Sequence, residues 1–180
     1  MGTVGGNISG TSDLAPLDQQ AAMLKELFSD AKNVGLLYCS AEPNSKYQAT
    51  TVKGYLEDLG YTCKEYTFAD SNDIASVTTT AAGENDVLYV PTDNTAASNT
   101  EVINNVCLPA GVPVSAGEEG ICKGCGVATL SINYYDIGYK AGEMAVDILV
   151  NGADITTMAI ESAPNVTKEY NEAICKELNI

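Results

Sequence analysis

Arginine, histidine and tryptophan are absent from this 180-residue chain. Without arginine there is no planar fork to hold a phosphate or carboxylate by two parallel bonds. Without histidine the common general base and the commonest metal ligand are gone, which removes Ser-His-Asp, Cys-His and most catalytic zinc designs together. Positive charge is scarce as well: nine lysines face 24 carboxylates, for a formal net charge of −15. Such a surface repels nucleic acid and anionic lipid, so neither is an expected partner. No run of about 18 apolar residues is present to span a bilayer. The opening MGTVGGNISG has neither the basic flank nor the apolar core of an export signal.

The hydrophobic fraction is 45%, enough for a sizeable core. Strand and helix patterns alternate along the chain, which predicts an α/β fold with an open, mainly parallel sheet and helices on both faces. Leu17, Ala21, Leu24 and Phe28 have helical spacing behind Pro16, and NVGLLYC (33–39) reads as a buried strand. Ser45 with Gln48 forms a capping-box pattern opening a helix that buries Val52, Tyr55, Leu56 and Leu59 and stops at Gly60. YTCKEYTF (61–68) alternates like a strand, and a short helix over 73–82 leads into strand 86–90. Ser98 with Glu101 repeats the capping-box pattern ahead of a helix stopped by Gly111, followed by short strands at 112–117 and 126–132. A longer helix places Ile137, Ala141, Met144, Ala145 and Ile148 on one stripe and stops at Gly152. Residues 153–164 read as weakly extended, and a last short helix carries Ala173, Ile174 and Leu178.

Polar clusters fall where the strands end. Strand 33–39 runs into SAEPNS, strand 86–90 into PTDNTAAS, and the strand at 112–116 into GEEG. In open parallel sheets ligands bind beyond the carboxyl ends of the strands, where loops lead into helix N-termini. Ser40, Asn44 and Ser45 precede a helix whose free N–H groups attract an anion. Thr92, Asn94 and Thr95 add neutral donors and acceptors, while Asp93, Glu118 and Glu119 add negative charge. Such a rim matches a small zwitterion, an amino acid being the natural candidate. The same residues are also ordinary helix caps and turn formers. No metal and no cofactor is expected.

GGNISGTSDLAP, LYCSAEPNS, VLYVPTDNT, PVSAGEEG and ATLSINYYDIGYKAGEMAVDIL resemble successive segments of one family. It is that of the ABC-transporter substrate-binding proteins related to tryptophan- and tyrosine-binding lipoproteins, with the type I periplasmic-binding fold. The resemblance implies two α/β lobes that close on a ligand and hand it to a membrane permease outside the cytoplasm. It also places Ser40, Asn44, Ser45, Asp93, Asn94, Thr95 and Glu118 on the cleft side of one lobe, with Thr11, Ser12 and Asp13 near the crossover between lobes. On this pattern residues 1–133 form the second, ligand-binding lobe, the helix over 134–152 returns to a first lobe, and 153–180 add an extended segment and a short helix. The chain resembles that second lobe alone, so the stripe of Ile137, Ala141, Met144 and Ile148 needs another cover: its own lobe or a second copy, making a homodimer through helix 135–150. Leaving it wet would cost a few kcal/mol, at about 25 cal/mol per Å².

CKGC, Cys122 to Cys125, departs from the family pattern. C-x-x-C can serve thiol redox or half a metal site, but no second pair stands at zinc-like spacing. A disulfide between the two, or two inert thiols, are the remaining options, and Cys39, Cys63 and Cys107 read as buried free thiols. Two functions other than solute binding stay open: an effector-binding domain of a receptor or regulator, and a redox domain using Cys122 and Cys125. Tyr38, Tyr134 and Tyr135 are candidates to meet an aromatic ligand.

Overall fold

Asn33–Cys39 (β2) is the spine of a six-stranded sheet. The computed structural model of the protein describes residues 2–163 and 165–180. The other strands are Thr62–Phe68 (β3), Val87–Val90 (β4), Val114–Ala116 (β5), Ala128–Ile132 (β6) and Val166–Tyr170 (β8), in the order β3-β2-β4-β5-β6-β8. The pairs β2–β3, β2–β4, β4–β5 and β5–β6 are all parallel. Register puts Leu36, Tyr89, Ser115 and Ala128 on one face, and Leu37 with Val90, Ala116 and Thr129 on the other. Both faces are covered, so β2, β4 and β5 are buried along nearly their whole length rather than at alternate positions.

Two helices, Leu17–Leu27 (α1) and Pro43–Asp58 (α2), pack together, and α1 reaches the first face through Gln20. On the second face Ile74–Glu84 (α3) and Thr100–Ala110 (α5) join Leu37, Leu88, Val90 and Val114 in one apolar core with Ile74, Ile103 and Phe68. Two short helices, Asn94–Ala97 (α4) and Glu119–Gly124 (α6), follow β4 and β5 directly. Neither was expected, because a single turn is too short to show periodicity.

Several helix starts differ from the sequence reading. Helix α2 opens at Pro43 with Glu42 as N-cap, so Ser45 lies inside its first turn rather than capping it. Helix α5 has Asn99 as N-cap, while Ser98 ends α4. Tyr55 and Leu59 are exposed although their spacing suited burial. The predicted stops hold: Gly60 and Gly111 both adopt positive φ, which a side chain would strain.

The described chain divides into two compact units. The larger holds Pro16–Ser131 with Lys168–Ile180, including the C-terminal helix Glu172–Leu178 (α8). The smaller holds the residues up to Ala15 and Ile132–Thr167. There, Thr11–Ser12 (β1) pairs in parallel with Glu161–Ser162 (β7), and Tyr134–Leu149 (α7) packs on β1. The segment read as extended includes a turn of 3-10 helix at Ile155–Thr157, and its end, Pro164, lies outside the described residues. Of the stripe on α7, Met144 is buried and Ile137, Ala141 and Ile148 are half-covered, while Ala145 is exposed. The opposite side of α7 carries a second apolar row: Tyr135, Tyr139, Val146 and Leu149, at 75%, 62%, 51% and 83% exposure. Among the described residues no helix is long and apolar enough to cross a membrane.

Candidate ligand-facing rim

Because β2, β4 and β5 run parallel in register, their carboxyl ends fall together, and the loops after Cys39, Val90 and Ala116 meet at one rim. They are also bonded to one another. The Asn44 side-chain amide and the Ser45 hydroxyl both donate to Thr92 O, at 3.0 and 3.3 Å. Gln48 Oε1 accepts from Thr92 N at 3.2 Å. Thr92 Oγ1 reaches Gly117 O at 3.5 Å, and Gly117 N donates to Val90 O at 2.7 Å. A Cβ on Gly117 would lie 2.6 Å from the Pro91 carbonyl carbon and 2.7 Å from Thr92 N, so glycine is what lets the second and third loops approach this closely.

The nine residues singled out on these loops sit on or directly under this rim, with different tasks; Glu119 opens α6 and pairs with Lys123. Ser45 and Asp93 are buried. Asp93 accepts from Cys39 N at 2.7 Å and from Ala96 N at 2.8 Å, tying β2 to the start of α4. Glu118 caps α6 by accepting from Gly120 N and Ile121 N. Ser40 donates to Phe68 O at 3.2 Å. Thr92, Asn94, Thr95, Asn44 and Ser40 remain at least partly open to solvent. Thr11 and Ser12 lie in β1, where Ser12 Oγ accepts from Leu14 N, just ahead of the passage into the larger unit at Pro16. Tyr38 is buried with its hydroxyl on Glu65, whereas Tyr134 and Tyr135 are exposed in the smaller unit.

The central side chain of the rim is Glu42, which the sequence reading passed over. Its Oε2 accepts from Asn94 N and Asn94 Nδ2, both at 2.9 Å; its Oε1 accepts from Thr95 N at 2.9 Å and Thr95 Oγ1 at 2.7 Å. Partial burial pushes the carboxyl up, but the four hydrogen bonds from Asn94 and Thr95 outweigh it and hold the group at about 2. A signal existed: an acidic residue directly before a proline marks a helix N-cap with proline at the first helical position.

The rim has no lysine in any of its three loops. Hollows elsewhere in the larger unit mix charges without convergence; one of about 620 Å³ is lined by Lys123, Lys176, Glu169 and Glu172 around Asn171. Cys122 and Cys125 are buried and free, and burial pushes both thiols up, Cys122 to about 12. A redox pair needs a thiolate near neutral pH, and these surroundings oppose one.

A parallel sheet with polar loops gathered at one carboxyl-end rim is the arrangement in which open α/β folds bind ligands. Residues 2–180 match the family described as ABC transporter substrate binding protein, and the chain belongs to that family. A Tyrosine-binding protein of Clostridioides difficile (strain R20291) is 32% identical over 98% of this chain and 51% of its own length. The ABC domain from Streptococcus pneumonia solved in complex with L-Trp superposes with a TM-score of 0.88 at 31% identity, over 98% of this chain and 60% of that one. The ligand-free, open form of a substrate binding protein with adhesive properties from Clostridium difficile gives 0.80 at 36%, over 99% and 60%. The chain thus spans about half to three-fifths of the length of these relatives.

Proposed function

We propose that the larger unit is one ligand-facing lobe of an extracytoplasmic solute-binding protein that serves an ABC permease, and that its solute is an aromatic amino acid. The observation that carries this reading is the meeting of three polar, lysine-free loops at the ends of β2, β4 and β5. The names of the similar proteins, which bind L-Trp or tyrosine, support the ligand class. Ser40, Asn44 and Asn94 are exposed at the rim and Thr92, Thr95 and Glu118 half-buried there; Ser45 and Asp93 serve by holding the loops. The module does no chemistry of its own: it recognises, encloses and releases.

Enclosure between two lobes normally buries about 70–90% of a small ligand, and one lobe supplies half of that. The expected affinity of this chain for L-Trp or L-Tyr is therefore in the millimolar range, about −4 kcal/mol. Calorimetry and a thermal-shift series over the twenty amino acids test it, run on this chain and on a fusion with the first lobe of the C. difficile relative. Micromolar binding by the chain alone would overturn the half-site reading. A fusion that no aromatic amino acid stabilises would overturn the ligand class.

The exposed row Tyr135, Tyr139, Val146 and Leu149 supports a second partner, another copy of this chain. With Tyr134 and Val150 it presents on the order of 600–700 Å² of mostly apolar surface, close to the roughly 800 Å² per partner of a stable interface. Gly138 and Gly142 on the same side let a second helix approach closely.

A further inference from the structure

The side-chain donors of the rim are almost all spent within the rim. Asn44 uses both amide protons, on Thr92 O and Ser45 Oγ. The hydroxyl protons of Ser40, Ser45, Thr92 and Thr95 go to Phe68 O, Thr92 O, Gly117 O and Glu42 Oε1. Asn94 gives one amide proton to Glu42. A carboxylate only accepts, so the Asn94 amide nitrogen must face Glu42, and its Oδ1 faces away. Glu42 itself is saturated, since two oxygens offer about four lone-pair directions and four donors fill them. Apart from the second amide proton of Asn94, the side-chain atoms left for a ligand are acceptors: Asn44 Oδ1, Asn94 Oδ1, the Ser40 and Thr95 hydroxyl oxygens, and the outer lone pairs of Glu118. The Glu42 charge also stands at the start of α2, where the helix would otherwise favour an anion.

From this geometry we infer that Glu42 is the specificity-determining residue of the rim: by taking up the Asn94 and Thr95 donors it turns acceptors and negative charge outward, so that this lobe receives the ammonium end of a ligand and turns its carboxylate away. The inference rests on the solute-binding reading. It refines the expectation of a rim that meets both ends of a zwitterion, because the carboxylate would have to be held elsewhere. Glu42 acts as a positioning residue, with no lone pair of its own left for the ligand.

Three probes separate the possibilities in ¹⁵N–¹H spectra of the 180-residue chain: L-Trp, tryptamine (amine without carboxylate) and indole-3-propionate (carboxylate without amine). The expected result is that L-Trp and tryptamine move the amide signals of Asn94, Thr95 and Glu118, while indole-3-propionate at equal concentration leaves them in place. In Glu42→Gln, which brings an NH₂ group against the same donors and frees them, preference should move toward the acid by roughly tenfold. Indole-3-propionate matching tryptamine on the unaltered chain would overturn the inference, and so would tryptamine shifts scattered over the whole acidic surface. If Glu42→Gln does not fold, the comparison on the unaltered chain decides alone. If L-Trp moves no rim signal, the solute-binding reading of this rim fails with it; if L-Trp moves them and the acid does so as well as the amine, only this inference fails.

Discussion

The hydroxyl of Tyr89, in the middle of the sheet, donates to Gln20 Oε1 on α1 at 2.6 Å, and neither residue has any exposed surface. Gln20 Nε2 donates in turn to Gly117 O at 3.0 Å and Leu130 O at 2.9 Å, so one side chain ties α1 to β4, to β6 and to the third rim loop. A buried amide with three partners is worth far more kept than removed, because each orphaned group retains its desolvation cost. Gln20→Ala is expected to destabilise the larger unit by on the order of 2–4 kcal/mol, and Tyr89→Phe by about 1–2 kcal/mol. Urea unfolding followed by circular dichroism measures both; equal, sub-kilocalorie losses would mean the network carries no weight.

Glu42 predicts a pH signature. Its carboxyl falls from 4.5 to about 2 on folding, so it favours the folded rim at all pH values above about 4.5, and that contribution is lost as pH drops toward 2. The Thr95 amide signal should accordingly stay constant from pH 7 to about 4 and move only below pH 3. A midpoint near 4.5 in that titration would show Glu42 free of its four donors.

At Gly117 even one methyl group has nowhere to go, with Pro91 and Thr92 backbone atoms under 3 Å from its position. Gly117→Ala should cost about 1–3 kcal/mol by overpacking, and should weaken L-Trp binding by moving the GEEG loop off the other two. Unchanged melting temperature and unchanged rim spectra would refute the close approach.

Burial of the thiols predicts low reactivity. Cys107 and Cys122 are raised to about 12, and Cys125 is raised as well, so almost no thiolate exists at pH 8. Iodoacetamide at that pH should leave Cys122 and Cys125 unlabelled in the folded protein and label them fully in urea, with mass spectrometry as the readout. Prompt labelling of either in the folded state would bring thiol redox chemistry back.

The second-copy reading predicts dimers in light scattering at micromolar concentration, abolished by Leu149→Glu or Tyr139→Glu with little change in melting. A monomer that keeps the exposed row of α7 in solvent would contradict it.

Much of this fold is written in local patterns. The run NVGLLYC is apolar at nearly every position because it is covered on both faces, and β2 occupies those seven residues as expected. Gly60 and Gly111 stop their helices for a reason confined to one residue, the freedom to take positive φ. Failures came where local chemistry offered two equivalent choices. Ser45 and Ser98 each had a partner at capping-box spacing, yet Glu42 and Asn99 took the N-cap positions. Ser45 was drawn off by Thr92 O, 47 positions away.

The sequence by itself determined the alternation of strand and helix, the excess of carboxylates and the polar punctuation after three strands, because periodicity, charge and turn chemistry act over a few residues. Only the tertiary structure decided what that punctuation does. Parallel register set three loops side by side, and contact between them joined Glu42 to Asn94 and Thr95 and buried Asp93 against Cys39. Hydrogen bonds between residues some fifty positions apart leave no trace in spacing or composition. Which polar atoms of the rim remain free to meet a ligand is therefore a property of the assembled lobe.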